Sequence, residues 1–153
     1  IIQHSNKFNI RIKDSNILDL FAGVGSFGLE CLSRDASSVT FVENYKEVLP
    51  ILKKNIIAVK CVNKSKLIEK DIFNQFFFEN LISKFDLIFI DPPYKEKSLS
   101  KLLKEILKKD ILNNGGIIII HRHKNEKDEL PKEFHTIEEK TYGISRIIFG
   151  KPF

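Results

Sequence analysis

Asp91-Pro92-Pro93-Tyr94 brings a carboxylate, a backbone carbonyl held rigid by consecutive prolines, and an aromatic ring into four adjacent residues. These groups suit an amino nitrogen conjugated to a planar ring, whose lone pair is delocalised and therefore a poor nucleophile. The Asp91 carboxylate and the Pro92 carbonyl, accepting hydrogen bonds at about 2.6–3.2 Å, would draw that nitrogen toward tetrahedral geometry and aim it. Asp91 need not be a strong base, because alkylation turns the nitrogen into an acidic ammonium. Tyr94 would stack on the ring, which must be flipped out or unpaired to enter. The plainer reading is a proline-capped strand end with an exposed tyrosine.

A second group of residues suits a nucleoside cofactor. Gly23-Val24-Gly25-Ser26-Phe27-Gly28 matches G-x-G-x-x-G, a turn whose backbone approaches a ligand without Cβ clashes. Phe21, Ala22 and Gly23 enter this turn, and Glu43 with Asn44 follows the next strand, where a carboxylate accepts hydrogen bonds from two ribose hydroxyls. These features alone fit a nicotinamide dinucleotide as well as S-adenosylmethionine. Asp19, just ahead of the glycines, suits a cationic ammonium better than a pyrophosphate. Asp71, after the third strand, suits an adenine amino group, with Ile72 and Phe73 as an apolar wall. A helix N-cap is the alternative role for Asp71.

The elements that must position these groups follow from the pattern of apolar residues. Asn16–Phe21 reads as a strand feeding the glycine turn and a helix through Arg34; Ser38–Glu43 reads as a second strand. Apolar residues at helical spacing run from Tyr45 to about Val62, and Pro50 places the helix start near Glu47, with the proline in the first turn. Lys66–Lys70 is expected as a third strand, Ile72–Ser83 as a helix, and Phe85–Ile90 as a buried strand ended by the prolines. Leu99, Leu102, Leu103, Ile106 and Leu107 define another helix, closed by Asn113-Asn114-Gly115-Gly116 before a strand at Ile117–Ile120. Arg122–Pro131 reads as a polar connection, and Phe134–Lys140 with Ile144–Phe149 as a hairpin around Tyr142-Gly143.

Alternating strands and helices imply an α/β fold, a mostly parallel sheet covered on both faces. Ligands in such sheets bind beyond the carboxyl ends of the strands, where strand order reverses. The glycine turn, Glu43, Asp71 and Asp91 each follow a different strand end and so converge there.

Composition excludes several classes. With 153 residues, one domain is expected. Cys31 and Cys61 form no C-x-x-C pair, so neither a disulfide scaffold nor a zinc site is indicated, and a reducing cytoplasm is the expected setting. No apolar run reaches the roughly 20 residues of a membrane helix. A net charge of +5 favours a polyanionic partner. The lysines flanking the helix after the tetrapeptide, Lys95, Lys97, Lys101, Lys104, Lys108 and Lys109, fit an RNA-facing surface or simply the polar face of an amphipathic helix. His121-Arg122-His123 is expected in a solvated loop, with phosphate contact as the alternative, and no metal is expected. Ile1-Ile2-Gln3 enters part-way through an element, so a native N-terminal segment is expected to precede it.

Leu18-Asp19-Leu20-Phe21-Ala22-Gly23 with Gly25 and Gly28, then Leu29-Glu30-Cys31-Leu32-Ser33-Arg34, closely resembles the first motif and helix of the RsmD family of bacterial guanine-N2 methyltransferases of small-subunit ribosomal RNA. Val42-Glu43, Asp71, Asp91-Pro92-Pro93-Tyr94 and the Tyr142-Gly143 hairpin fall in that family's order. The resemblance spans nearly the whole chain. It implies a Rossmann-like class I methyltransferase with a seven-stranded sheet whose last strand is antiparallel. S-adenosylmethionine would be the methyl donor, S-adenosylhomocysteine the product, and 16S-type ribosomal RNA in an assembling 30S particle the partner. A monomer is expected. The same tetrapeptide occurs in adenine-N6 methyltransferases of DNA and RNA, which leaves that base open; the glycine motif and Glu43 also fit a nicotinamide-dependent oxidoreductase, which leaves the tetrapeptide unexplained, and a catalytically silent RNA-binding module is the remaining alternative.

Overall fold

A computed structural model describes residue 1, residues 11–74 and residues 76–153. Within them lie seven strands: β1 (Asn16–Leu20), β2 (Ser38–Val42), β3 (Ser65–Ile68), β4 (Phe85–Ile90), β5 (Leu112–His123), β6 (Phe134–Tyr142) and β7 (Ser145–Pro152). Three α-helices accompany them, α1 (Ser26–Ser33), α2 (Leu49–Ala58) and α3 (Leu99–Lys108). The strands form one sheet in the order β3-β2-β1-β4-β5-β7-β6. All pairings from β3 to β5 are parallel, and β7 runs antiparallel to both of its neighbours.

Parallel strands buried on both faces must be largely apolar at successive positions, as Ile17-Leu18 and Leu20 of β1 and Leu87–Ile90 of β4 are, with Asp19 the buried exception in β1. Alternate residues divide between two cores. Leu18, Leu20, Ile88, Ile90, Ile118 and Ile120 pack with Leu99, Leu102, Leu103 and Ile106 of α3. Ile17, Leu87, Phe89, Ile117 and Ile119 pack on the opposite face with Cys31 and Leu32 of α1 and Leu52 and Ile56 of α2. Helices thus cover both faces, as alternation of elements requires.

Close helix–sheet approach depends on Gly28. A Cβ there would stand 2.3 Å from Phe41 Cε1 and 2.8 Å from Val39 Cγ1. Gly28→Ala is therefore expected to destabilise the fold by about 1–3 kcal/mol, read as a lower midpoint in urea denaturation at unchanged m-value.

Pro50 lies in the first turn of α2, as its missing N–H requires, although that helix starts at Leu49. The third strand sits at Ser65–Ile68, one residue earlier than expected and ending two residues sooner. Larger differences lie elsewhere. Ile72–Ser83 is not a helix: the described residues of this stretch hold a single 3-10 turn at Phe78–Asn80. Asp71 Oδ1 accepts from the Phe73 N–H at 2.9 Å and Asn74 Oδ1 from the Phe76 N–H at 3.0 Å, local bonds that compete with helical ones. Asn113–Gly116 does not close α3, which ends at Lys108. These residues are a bulge inside β5: Phe85 pairs with Leu112 and Leu87 with Ile117. The strand also continues through His123, so His121-Arg122-His123 belongs to the sheet and not to a solvated loop. The element expected at the chain's start lies, beyond Ile1, outside the described residues. No described helix is long and apolar enough to cross a membrane.

Candidate active site

Strand order reverses between β1 and β4, and parallel register places their carboxyl ends side by side. The Asp91 N–H donates to the Leu20 carbonyl at 3.4 Å, Ala22 N–H to Val42 at 3.0 Å and Glu43 N–H to Ile68 at 3.2 Å. These bonds bring the ends of four strands to one edge. A crevice opens there in two lobes that share Phe21, Gly23, Asp91 and His121.

The first lobe is lined by Asp19, Ala22, Ser26, Phe27 and Phe89 as well. Asp19 is only 1% exposed, and its Oδ2 accepts from the Gly28 N–H at 3.1 Å. Burial pushes its carboxyl up to about 8 despite the Gly28 bond, and the charges of Asp91 and Glu43 push the same way. A buried carboxyl facing a cavity with two other acids nearby fits a ligand that carries positive charge. Phe27 stacks on Phe89 with centroids 3.9 Å apart and forms the apolar wall.

The glycine turn has two different duties. Gly25 has φ +90°, a conformation that disfavours side chains, and a Cβ there would also stand 2.6 Å from Leu52 Cδ1. Gly25 and Gly28 are buried and serve packing, whereas Gly23 lines both lobes. Phe21, at φ +59°, takes the left-handed conformation although it is not glycine, a local strain that its sequence does not announce.

Glu43, Asn44, Asp71 and Phe73 line the second lobe together with Pro92, Pro93 and Tyr94. Glu43 Oε2 accepts from the Gly23 N–H at 2.8 Å, and Oε1 accepts from Asn44 and Tyr45 N–H groups, both at 2.9 Å. Three backbone donors thus fix the carboxylate that follows β2 and tie it to the glycine turn. Phe73 tilts against Phe21 at 5.9 Å. Ile72 is 5% exposed and belongs to the core, so the apolar surface beside Asp71 is Phe73 with Phe21 and not Ile72.

The tetrapeptide follows β4. Asp91 is exposed, Pro92 buried, and Tyr94, at 69% exposure, meets His123 edge-on at 6.4 Å. Arg122 holds the loop from behind. Its side chain is fully buried, pairs with both Asp128 oxygens at 2.8 and 2.9 Å, and donates to the carbonyls of Pro93 at 3.3 Å and Glu96 at 3.0 Å. Removing one partner of such a buried pair costs about 3–5 kcal/mol. Arg122→Met should lower stability by that order in urea denaturation and release the tetrapeptide loop.

Arg122 and His121, expected in a solvated loop with phosphate contact as the alternative, instead extend β5 and hold the site from within the sheet. His121 Nδ1 lies 2.9 Å from Asp91 Oδ1, and its Nε2 lies 2.9 Å from Ser145 Oγ. Extending the period-2 pattern of Ile117–Ile120 by three residues would have found them: Arg122 shares a face with Ile118 and Ile120, and His121 shares the opposite one with Ile117 and Ile119. Of the expected lysine surface, Lys101 and Lys104 are exposed while Lys97 pairs with Glu126 at 3.2 Å. The buried Leu99, Leu102, Leu103 and Ile106 mark α3 as an ordinary amphipathic helix. Among the described residues no cluster of three or more His, Cys, Asp or Glu side chains is arranged to hold a metal ion.

Strand order, reversed last strand and crevice define the class: this is a Rossmann-like class I methyltransferase fold. The chain matches, over residues 2–151, the model of a family described as conserved hypothetical protein 95, and it belongs to that family, the RsmD family. It is 33% identical over 138 residues to ribosomal RNA small subunit methyltransferase D of Haemophilus influenzae, covering 87% of this chain and 69% of that protein. The crystal structure of a putative methylase from Haemophilus influenzae superposes with a TM-score of 0.79 at 28% identity, covering 97% of this chain and 92% of the other. A putative methyltransferase crystallised with S-adenosylhomocysteine shares the fold at 17% identity, with a TM-score of 0.71 and coverage of 97% and 48%.

Proposed function

We propose that this protein transfers a methyl group from S-adenosylmethionine to the exocyclic N2 amine of a guanine in small-subunit ribosomal RNA. The observation that carries this reading is the meeting of an acid-lined crevice with Asp91-Pro92-Pro93-Tyr94 at the β1/β4 edge, in a chain of the RsmD family. The name of the Haemophilus influenzae relative supports the substrate, and the acids disfavour the anionic pyrophosphate of a nicotinamide dinucleotide.

When bound, S-adenosylmethionine supplies an electrophilic methyl on a positively charged sulfur. Asp19 holds the amino-acid ammonium, Glu43 beside Asn44 accepts from the ribose hydroxyls, and Asp71 accepts from the adenine amino group. Phe73 and Phe21 cover the adenine ring, while Ala22, Gly23, Ser26 and Phe27 line the remaining path. Asp91 and the Pro92 carbonyl accept from the guanine amine and localise its lone pair. The Asp91 carboxylate takes the proton that the nitrogen sheds. Tyr94 stacks on the base, which enters unpaired or flipped. The site works without a metal, on a partly assembled small subunit in the cytoplasm.

Incubation with labelled cofactor and unmethylated small-subunit RNA, followed by digestion to nucleosides, tests the base. Label in N2-methylguanosine is expected. Label in N6-methyladenosine would transfer the assignment to the adenine enzymes that share the tetrapeptide.

A further inference from the structure

We infer that His121, held between Asp91 and Ser145, is a positioning residue that decides which oxygen of Asp91 meets the substrate amine; this rests on the functional reading above. The imidazole comes from β5, its two partners from the end of β4 and the start of β7, so three elements fix one ring. An ionised carboxylate only accepts, so Nδ1 carries the proton shared with Asp91 Oδ1. In the neutral ring Nε2 then accepts from the Ser145 hydroxyl, and in the charged ring it donates to the same oxygen. Either way Oδ1 is engaged by His121, which leaves Oδ2 to pair with the amine beside the Pro92 carbonyl.

The ring's charge matters as well as its place. The hydrogen bond to Asp91 first, and its charge second, hold His121 above the ordinary histidine range against the effect of partial burial. Asp91, Asp19 from β1, Glu30 from α1 and Arg34 just beyond that helix line the same lobe; Glu43, Asp71, Glu96, Arg122 and His123, with the phenols of Tyr45 and Tyr94, line the other. A cationic ring would set positive charge near a cationic methyl donor and withdraw electron density from Asp91. The neutral ring is therefore the competent form, and kcat should rise with pH through a value above 6.5, the ordinary histidine pKa.

The test compares wild type, His121→Asn, His121→Leu and Ser145→Ala on unmethylated small subunits, with nitrogen-15 NMR of the imidazoles in wild type and Asp91→Asn. Leucine should lower kcat on the order of 10–100-fold with KM for S-adenosylmethionine little changed. Asparagine, which presents its amide nitrogen where Nδ1 stood, should restore most of kcat and abolish the pH limb. Ser145→Ala should fall between wild type and the leucine variant. The spectra should show the Nδ1–H tautomer, with a pKa that falls in Asp91→Asn. Wild-type kcat in the leucine variant, no rescue by asparagine, or a His121 pKa indifferent to Asp91 would overturn the inference. If wild type transfers no methyl, the functional reading fails, and the tautomer and its coupling to Asp91 still decide the His121 arrangement.

Discussion

Asp91→Ala lowers kcat for methyl transfer on the order of 10²–10⁴-fold and leaves the affinity for S-adenosylhomocysteine near that of wild type. The separation follows from position. Asp91 follows β4 with its side chain 45% exposed at the junction of the two lobes, close to Tyr94, whereas the groups assigned to the cofactor lie within β1 (Asp19) or follow β1, β2 and β3. Single-turnover kinetics isolates chemistry from product release, and calorimetry measures the product's affinity. Equal losses in both would place Asp91 in cofactor binding instead. Asp91→Asn should be less severe, because its amide oxygen still accepts from the amine but cannot take the proton.

Asp19→Asn has the second large effect, and it runs in opposite directions for binding and for stability. Losing the charge opposite a buried ammonium costs about 2–5 kcal/mol, a fall in S-adenosylhomocysteine affinity of roughly 30-fold to several thousand-fold. The unliganded fold should gain stability near neutral pH. A carboxyl whose folded pKa is raised binds its proton more tightly in the native state. Its favourable contribution is therefore complete below 3.8 and is lost as pH rises toward about 8. Asparagine keeps an oxygen for the Gly28 N–H and removes that penalty. The same titration predicts that wild-type binding releases a proton at pH 7 and that affinity increases with pH until about 8, then levels. Calorimetry in buffers of different protonation enthalpy reads the proton directly, and binding without release would remove Asp19 from the ammonium site.

Much of this geometry was legible because it rests on local rules. A short apolar strand followed by Gly23, Gly25 and Gly28 admits few conformations, and consecutive prolines must end β4 where Asp91 begins the loop. Pro50 restricted where α2 starts for the same reason. What escaped depended on partners distant in sequence or on competing local bonds. Phe76-Phe77-Phe78 looks helical by hydrophobicity, yet Asp71 and Asn74 turn the chain around their own side chains. Arg122 looks like a solvated charge until Asp128 and the Pro93 and Glu96 carbonyls close around it. His121 gains its place only when β7, more than twenty residues later, returns antiparallel and delivers Ser145. Ile72 had the right position beside Asp71, but Phe73, its neighbour, faces the crevice.

The most direct test of the central claim is to incubate unmethylated 30S particles with labelled S-adenosylmethionine and either the wild-type protein or Asp91→Ala, and to map the label to its nucleotide. Wild type should place label at N2 of one guanine, and the variant almost none. Equal labelling by the two proteins, or label confined to adenines, would contradict that claim.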